Sequence, residues 1–425
     1  KKGYKLVKTS FGKYEEIPEE WSIEKFKDFV SLKHGFAFSS NDFIDSDGIK
    51  IVKIGDIQQD CSVRIEDLDQ ISIEIAEKNN EFSVVNGDVL MALTGATLGK
   101  TGIVSTDEKL LQNQRVGNIF PTDSRMLDKK FLFFILTSDF IQNQVWSFVS
   151  SSAQPNIGKS ELDKINFFKP QNISEQKQIA SILSNVDDTL QKTNQIIEQT
   201  QRLKEGLINK IVQKEIGITI FTYNKNQPIP PKHQLVKLHE AVQINPKYQC
   251  DQNKEYPFVE MAAINEETKL IDYLGKRKLD SGYAVFKNDD VLFAHITPST
   301  EHGKVTLAKN FKEIGLGSTE LTVLKPKESV DKDFLSYYAQ TNSVRNFAVS
   351  QMEGTTGRQR VPTRVFTKDL YILLPPLSEQ KQIASILSNV DTQIQKEKLH
   401  KSNLERLKKG LMQKLLTGQI RVKVR

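Results

Sequence analysis

The stretch SEQKQIASILSNVD, residues 174–187, returns letter for letter as residues 378–391. Fourteen identical residues at an offset of 204 mark an internal duplication, and a repeat has to be read before any other pattern. The likeness continues without a gap from LKEGLINKIV (residues 203–212) to LKKGLMQKLL (residues 407–416). So long a period does not make a solenoid. Each copy is expected to be a domain followed by a helix.

Within the repeat, Ser174 stands where an N-cap belongs, and Glu175 suits the positive end of a helix. Apolar residues follow at Ile179, Leu183, Val186, Leu190, Ile197, Leu203, Leu207 and Ile211. The second copy has Ile383, Leu387, Val390, Ile394, Leu404, Leu407, Leu411 and Leu415. Most steps are three, four or seven, which makes one stripe on an otherwise polar helix. Roughly 39 residues at about 1.5 Å each give a rod of nearly 60 Å, too long to bury its stripe inside one small domain. The two stripes are expected to cover each other as an antiparallel coiled coil about a pseudo-twofold axis. Aligned end to end, the rods set Gly206 against Ala384 and Gly410 against Ala180. Close backbone approach would then offset the roughly 1 kcal/mol that a helical glycine costs.

Outward from the rods, the two halves share a skeleton. IPEEW (residues 17–21) is answered by IPPKH (229–233), with His233 in the place of Trp21. IVKIGDI (51–57) is answered by FVEMAAI (258–264), and NGDVLMAL (86–93) by NDDVLFAHI (288–296), all strand-like. The apolar run at 128–149 reads as one long helix, matched at 331–349. The closing strands INFFKP (165–170) and LYILLPP (370–376) lead into the rods, and Thr417-Gly418 supplies a C-terminal stop.

A chain of 425 residues holds two or three domains. Its 38% hydrophobic and 26% charged residues fit a soluble globular protein. The net charge of +6 is too mild to imply a polyanionic partner by itself. Two cysteines, Cys61 and Cys250, build no disulfide framework, which points to the cytoplasm. No apolar run approaches the length of a membrane helix, and the basic start lacks the apolar core of a signal peptide.

Catalytic signatures are weak. TGATLGKT (residues 94–101) approaches a P-loop, but Thr94 stands where the first glycine belongs and a strand-like segment follows. Its counterpart keeps Gly303-Lys304 and then has Val305. INPKY (244–248) is a chance likeness to the NPPY of amino-methyltransferases, since Lys247 replaces the second proline. The six histidines show no HxH or HxxxH spacing, and CxxC and GxSxG are absent, so neither zinc nor a serine nucleophile is indicated. Recognition remains. The loops that differ between halves are polar and basic. They carry Lys100, Gln112, Gln114, Arg115, Ser151, Gln154, Asn156 and Lys159 in the first half. The second has His302, Lys304, Thr355, Thr356, Arg358, Gln359, Arg360 and Arg364. Gln, Asn and Arg pair bidentately with base edges, and Lys holds phosphates, so duplex DNA is the expected ligand. Two readings stand beside it, a P-loop-like nucleotide-binding protein and a coiled-coil scaffold that binds no DNA.

Over essentially its full length the chain resembles the specificity subunit of type I restriction–modification enzymes. The likeness is carried by IPEEW, GDVLMALTGATLGK, the paired SEQKQIA helix starts and LKKGLMQKLLTG. The resemblance implies an α/β (α+β) fold with two similar target-recognition domains, residues 1–170 and 216–376. These would be separated by two long antiparallel coiled-coil helices, the central one at 171–215 and the C-terminal one, with its tail, at 377–425. Each domain would read half of a split DNA site and the rods would set the gap. Two modification subunits would dock on the rods, with Glu175, Lys177, Gln178, Glu379, Lys381 and Gln382 as the exposed candidates. The resemblance further implies two restriction subunits. S-adenosylmethionine, ATP and magnesium would belong to those partners, with no cofactor, metal, catalytic residue or membrane contact on this chain.

Overall fold

A computed structural model of the protein describes residues 2–8, 14–149, 155–208, 229–355 and 357–423. The chain divides into two compact units, Lys1–Lys192 with Lys401–Arg425, and Thr193–His400. The fold is mixed helix and strand, with the same plan in both units.

In the first unit, a four-stranded antiparallel sheet runs in the order Thr101–Ile103, Val89–Ala92, Val116–Pro121, Val30–His34. The central strands are buried on both faces, as the unbroken run VLMA requires. A second sheet of five short strands includes one parallel pair, Ile49–Val52 with Leu110–Gln112. Trp21–Lys25 pairs with Asn166–Pro170 and closes the domain beside the long helix. In the second unit the four-stranded order repeats as Val305–Leu307, Val291–Ala294, Leu321–Pro326, Val242–Ile244. Glu255–Val259 with Gly315–Gly317 is again a parallel pair, and Gln234–Lys237 with Tyr371–Leu374 closes that domain.

The apolar run at 128–149 is two helices, Lys129–Leu136 and Asp139–Val149. Thr137 and Ser138 break it, because their hydroxyls donate back to the carbonyls of Phe133 and Ile135. The matching run breaks in the same place, into Lys332–Ala339 and Asn342–Ser350, where Thr341 caps the second helix.

The long helices are Ile173–Leu207 and Leu377–Leu415. Ser174 does not cap the first. Asn172 accepts from the Ser174 N–H through its side chain instead. The duplicated stretch is tied down by its third residue. Gln176 is 0% exposed, accepts from the Asp128 N–H at 2.9 Å, and donates to the carbonyls of Met126 and Pro170. Gln380 is 1% exposed and repeats the set with the Asp331 N–H and the carbonyls of Ser329 and Pro375. Each amide therefore locks the start of a rod to the helix and strand that precede it.

Glu175 departs from its expected exposure. It is buried and bidentate to Arg421, whose guanidinium also reaches Glu20. Its counterpart Glu379 meets His233 at 3.5 Å, so His233 takes up a polar contact where Trp21 fills the core. Lys177, Gln178, Lys381 and Gln382 are exposed and Glu379 is half-buried.

Inside each unit a piece of one long helix packs against a piece of the other. In the first unit Ile179, Ala180 and Leu183 share a core with Leu415 and Leu416, Leu411 lies against it, and Lys408 pairs with Asp187 at 2.6 Å. In the second, Ile208 shares a core with Ile383, Ala384 and Leu387, Leu207 lies against it, and Lys204 pairs with Asp391 at 2.7 Å. The two pairs are repeat equivalents, and in each unit the packed pieces run antiparallel. Ile197 and Ile394 are also buried, while Val186, Leu190, Val390 and Leu404 are half-buried. Leu203 and Leu407 face outward at 55% and 51% exposure, and Thr193 is buried instead. Heptad spacing drifts from a helix of 3.6 residues per turn, so a stripe written from the helix start loses its face towards the end. Ile211 lies outside the described residues. Gly206 and Gly410 are not close-approach points among the described residues, since a Cβ on either meets no atom of another element within 4 Å. The ion pairs set a different register from an end-to-end alignment.

Replacing Gln176 or Gln380 by Ala removes three hydrogen bonds to the backbone, one of them to the buried carbonyl of Pro170 or Pro375. Either change is expected to destabilise its unit by about 2 kcal/mol or more, read as a lower urea midpoint. Gln178→Ala, on the exposed face, is expected to shift it by less than about 0.5 kcal/mol.

Candidate nucleic-acid interface

The candidate loops meet at one end of the four-stranded sheet in each unit, through the same backbone bonds. In the first unit Leu93 N–H donates to Arg115 C=O, Gly95 N–H to Pro155 C=O, and Ile157 N–H to Leu93 C=O. Thr94 bridges Asn156. The second unit has His295 N–H to Glu320 C=O, Thr297 N–H to Gln359 C=O, Val361 N–H to His295 C=O, and Ile296 bridging Arg360. Arg115 thus answers Glu320, and Asn156 answers Arg360. One skeleton presents two different rims.

The first rim is cationic. Gln114 and Arg115 are exposed, Lys100 is half-buried, and neither Arg115 nor Lys100 forms an ion pair among the described residues. Asn156 is exposed beside them, and Lys159 is exposed but paired with Asp163. Gln112 is not available for recognition. It is fully buried and donates to the Lys33 carbonyl at 2.9 Å, as a residue inside a strand. Ser151 and Gln154 lie outside the described residues.

The second rim is largely neutralised from within. Arg360 is bidentate to Glu320 at 2.6 and 2.8 Å, which holds the Glu320 carboxyl below its usual range. Arg364 pairs with Glu353 and Asp369. His302 pairs with Glu266, and Lys304 donates to the Met261 carbonyl. Thr355 and Arg358 are exposed, Gln359 is half-buried, and Arg358 has no ion pair among the described residues. Thr356 lies outside them.

A rim residue that polar-loop reasoning passes over is Phe36. Its ring is 37% exposed and packs against Phe38 and Phe82 at 5.0 and 5.3 Å. Its carbonyl accepts from the Gln114 N–H at 2.8 Å. Gly35 must be glycine, because a Cβ would lie 2.2 Å from the Asn113 carbonyl oxygen. The legible signal was GFAF, an aromatic pair in an otherwise polar loop.

TGATLGKT forms a short turn, Gly95–Thr97, between two strands. A P-loop needs a helix to follow, so this stretch cradles no nucleotide. Among the described residues no three His, Cys, Asp or Glu side chains gather as a metal site would need. No described helix is long and apolar enough to cross a membrane.

The family model for the type I restriction modification DNA specificity domain matches twice, at residues 18–202 and 233–406. The type I restriction enzyme MjaVIII specificity subunit of Methanocaldococcus jannaschii is 26% identical over 96% of this chain and 94% of its own length. The putative MjaX specificity subunit of the same organism is 27% identical over 98% of this chain and 96% of its own. Among solved structures, the type I restriction–modification S subunit from M. genitalium superposes with a TM-score of 0.60 at 15% identity, covering 93% of this chain and 96% of that one. That likeness concerns the fold. The chain belongs to the type I restriction–modification DNA specificity family, as a specificity subunit. It is the non-catalytic recognition member of such an enzyme, and DNA binding follows from that membership.

The rim of the second unit carries a pH dependence. Burial pushes the His295 imidazole down from its ordinary 6.5, the Arg360 charge adds to this, and Glu320 opposes it. A depressed histidine leaves the fold at full stability above 6.5, and stability is lost as pH falls from there through the folded value. Thermal unfolding is expected to drop more steeply below about pH 6.5 in the parent than in His295→Gln.

Proposed function

We propose that each unit reads one half of a bipartite, asymmetric DNA site, and that the long helices set the gap between halves. The observation that carries this is the pair of rims, with the same strand order and corner hydrogen bonds but different side chains. In the first, Arg115 and Gln114 offer the donors that read guanine and adenine edges, and Phe36 offers an apolar contact of the kind made with a thymine methyl. Lys100 suits a phosphate. The second rim spends Arg360 and Arg364 on internal ion pairs and leaves Arg358 and Thr355 to meet bases. The recognition domains span residues 1–170 and 216–376, the central rod 171–215, and the second rod with its tail 377–425.

Two modification subunits dock at the two rod starts and methylate adenine with S-adenosylmethionine, and two restriction subunits bring ATP- and magnesium-dependent chemistry. The assembly works in the cytoplasm. Lys177, Gln178, Glu379, Lys381 and Gln382 remain the docking candidates. Beside Lys177 lies an open depression of about 290 Å³, lined also by Asp128, Lys130, Ser184 and Asp188. Glu175 is withdrawn from that set, because Arg421 occupies it.

Methylome sequencing of cells with and without this chain tests the reading. A bipartite adenine motif is expected only with the chain, and a pattern unchanged by its removal contradicts the proposal. The spacer is tested by matched four-residue insertions after Leu190 and after Ile394. These lie between the two ion pairs on both helices and preserve each pair. About 6 Å of added helix is expected to lengthen the recognised gap by one or two base pairs and leave both half-sites unchanged. An unchanged gap would rule out the helices as the ruler.

A further inference from the structure

The turn at Gly303 in the second unit collects more positive charge than its carboxylates can balance. Gly303 and Gly99 are repeat equivalents, and both sit at positive φ, +64° and +80°. In the first unit the Gly99 carbonyl is held by a neutral amide, Gln142 Nε2 at 2.9 Å, which also donates to the Leu136 carbonyl. The residue in that place in the second unit is Arg345, which follows Thr341 as Gln142 follows Ser138. The Gly303 carbonyl is taken instead by Lys269 Nζ at 2.6 Å. A Cβ on Gly303 would lie 3.2 Å from Arg345 Cδ and 3.3 Å from Lys269 Nζ, so both cations press on one glycine.

Of the surrounding acids, Glu301 is exposed in the turn itself and forms no ion pair among the described residues, and the others are already engaged. Glu266 holds His302 at 2.9 Å and Lys304 at 3.6 Å. Glu267 holds Lys398 at 2.8 Å, and Asp391 holds Lys204 and accepts from the Tyr337 hydroxyl. Neither Lys269 nor Arg345 forms an ion pair among the described residues, and the Arg345 guanidinium makes no hydrogen bond to any of them. Both are half-buried. Burial, with the charges of Lys204 and Arg345, pushes the Lys269 ammonium down to about 8, while Glu266 opposes the shift. An uncompensated pair of this kind is stabilised by a bound anion. Two free ammonium N–H groups beside a planar guanidinium match the oxygens of a phosphate.

We propose that Lys269, Arg345 and the Gly303 turn form a phosphate-binding site in the second unit that the first unit lacks. Its ligand is a phosphodiester of the DNA backbone, which rests on the DNA-reading function proposed above. The site anchors the duplex without reading sequence, next to a rim whose own arginines are internally paired.

The test uses the full chain, a random-sequence duplex and the variants Arg345→Gln, which installs the residue of the first unit, and Lys269→Gln. Each variant is expected to reduce the slope of log affinity against log salt by about 0.9, the share of one phosphate contact, and to weaken specific and random duplexes equally. A second arm measures the rise in unfolding temperature with millimolar inorganic phosphate. If the slopes are unchanged but this rise is present in the parent and absent in Arg345→Gln, the site stands with a free phosphate as its ligand, and the backbone assignment falls. Unchanged slopes with no phosphate effect overturn the site. A parent chain without salt-dependent duplex binding would instead refute the DNA reading, and the phosphate arm would still decide the site.

Discussion

A buried glutamine amide fixes the geometry on which everything else depends. Gln176 and Gln380 are buried, and each satisfies three backbone groups at the junction between a domain and its rod. An unpaired buried carbonyl there costs about 1–3 kcal/mol, so the start of each rod is held to the strand and helix that precede it. The duplicated stretch therefore has an internal reason to stay identical, because it meets the same set of acceptors and donors twice. Docking of a partner can use what remains exposed, but it is not needed to explain the repeat.

On that fixed base the two rims diverge by charge while their corner backbone bonds stay the same. The same corner bonds hold Arg115 in one unit and Glu320 in the other. The first change leaves a cationic edge open to solvent. The second draws Arg360 into a bidentate pair. At the Gly303 turn the sign reverses, and a neutral glutamine is replaced by two cations. A scaffold that keeps its backbone bonds while its rim charges are redistributed suits the proposed reading of two unrelated half-sites.

Much of this was legible in the sequence. The repeat gave the two-unit plan, the unbroken apolar runs gave the central strands, and the family likeness rested on motifs spread over the whole chain. What escaped depends on contacts distant in sequence. Glu175 looks like a solvated first-turn carboxylate until Arg421, 246 residues later, folds onto it. Gln112 is polar and stands two residues from Gln114, yet it ends a buried strand, while Gln114 lies in the exposed turn that follows. Leu203 and Leu407 satisfy a heptad that the helix does not keep. The break at Thr137 and Ser138 was written in their hydroxyls, but an apolar periodicity running through both hid it.

The central claim is that reading is modular, with one unit for each half-site. It is tested most directly by exchanging residues 17–170 for the matching region of another specificity subunit and sequencing the methylome. The account predicts that one half of the methylated motif changes, while the other half and the gap are retained. A change in both halves, or in neither, would contradict it.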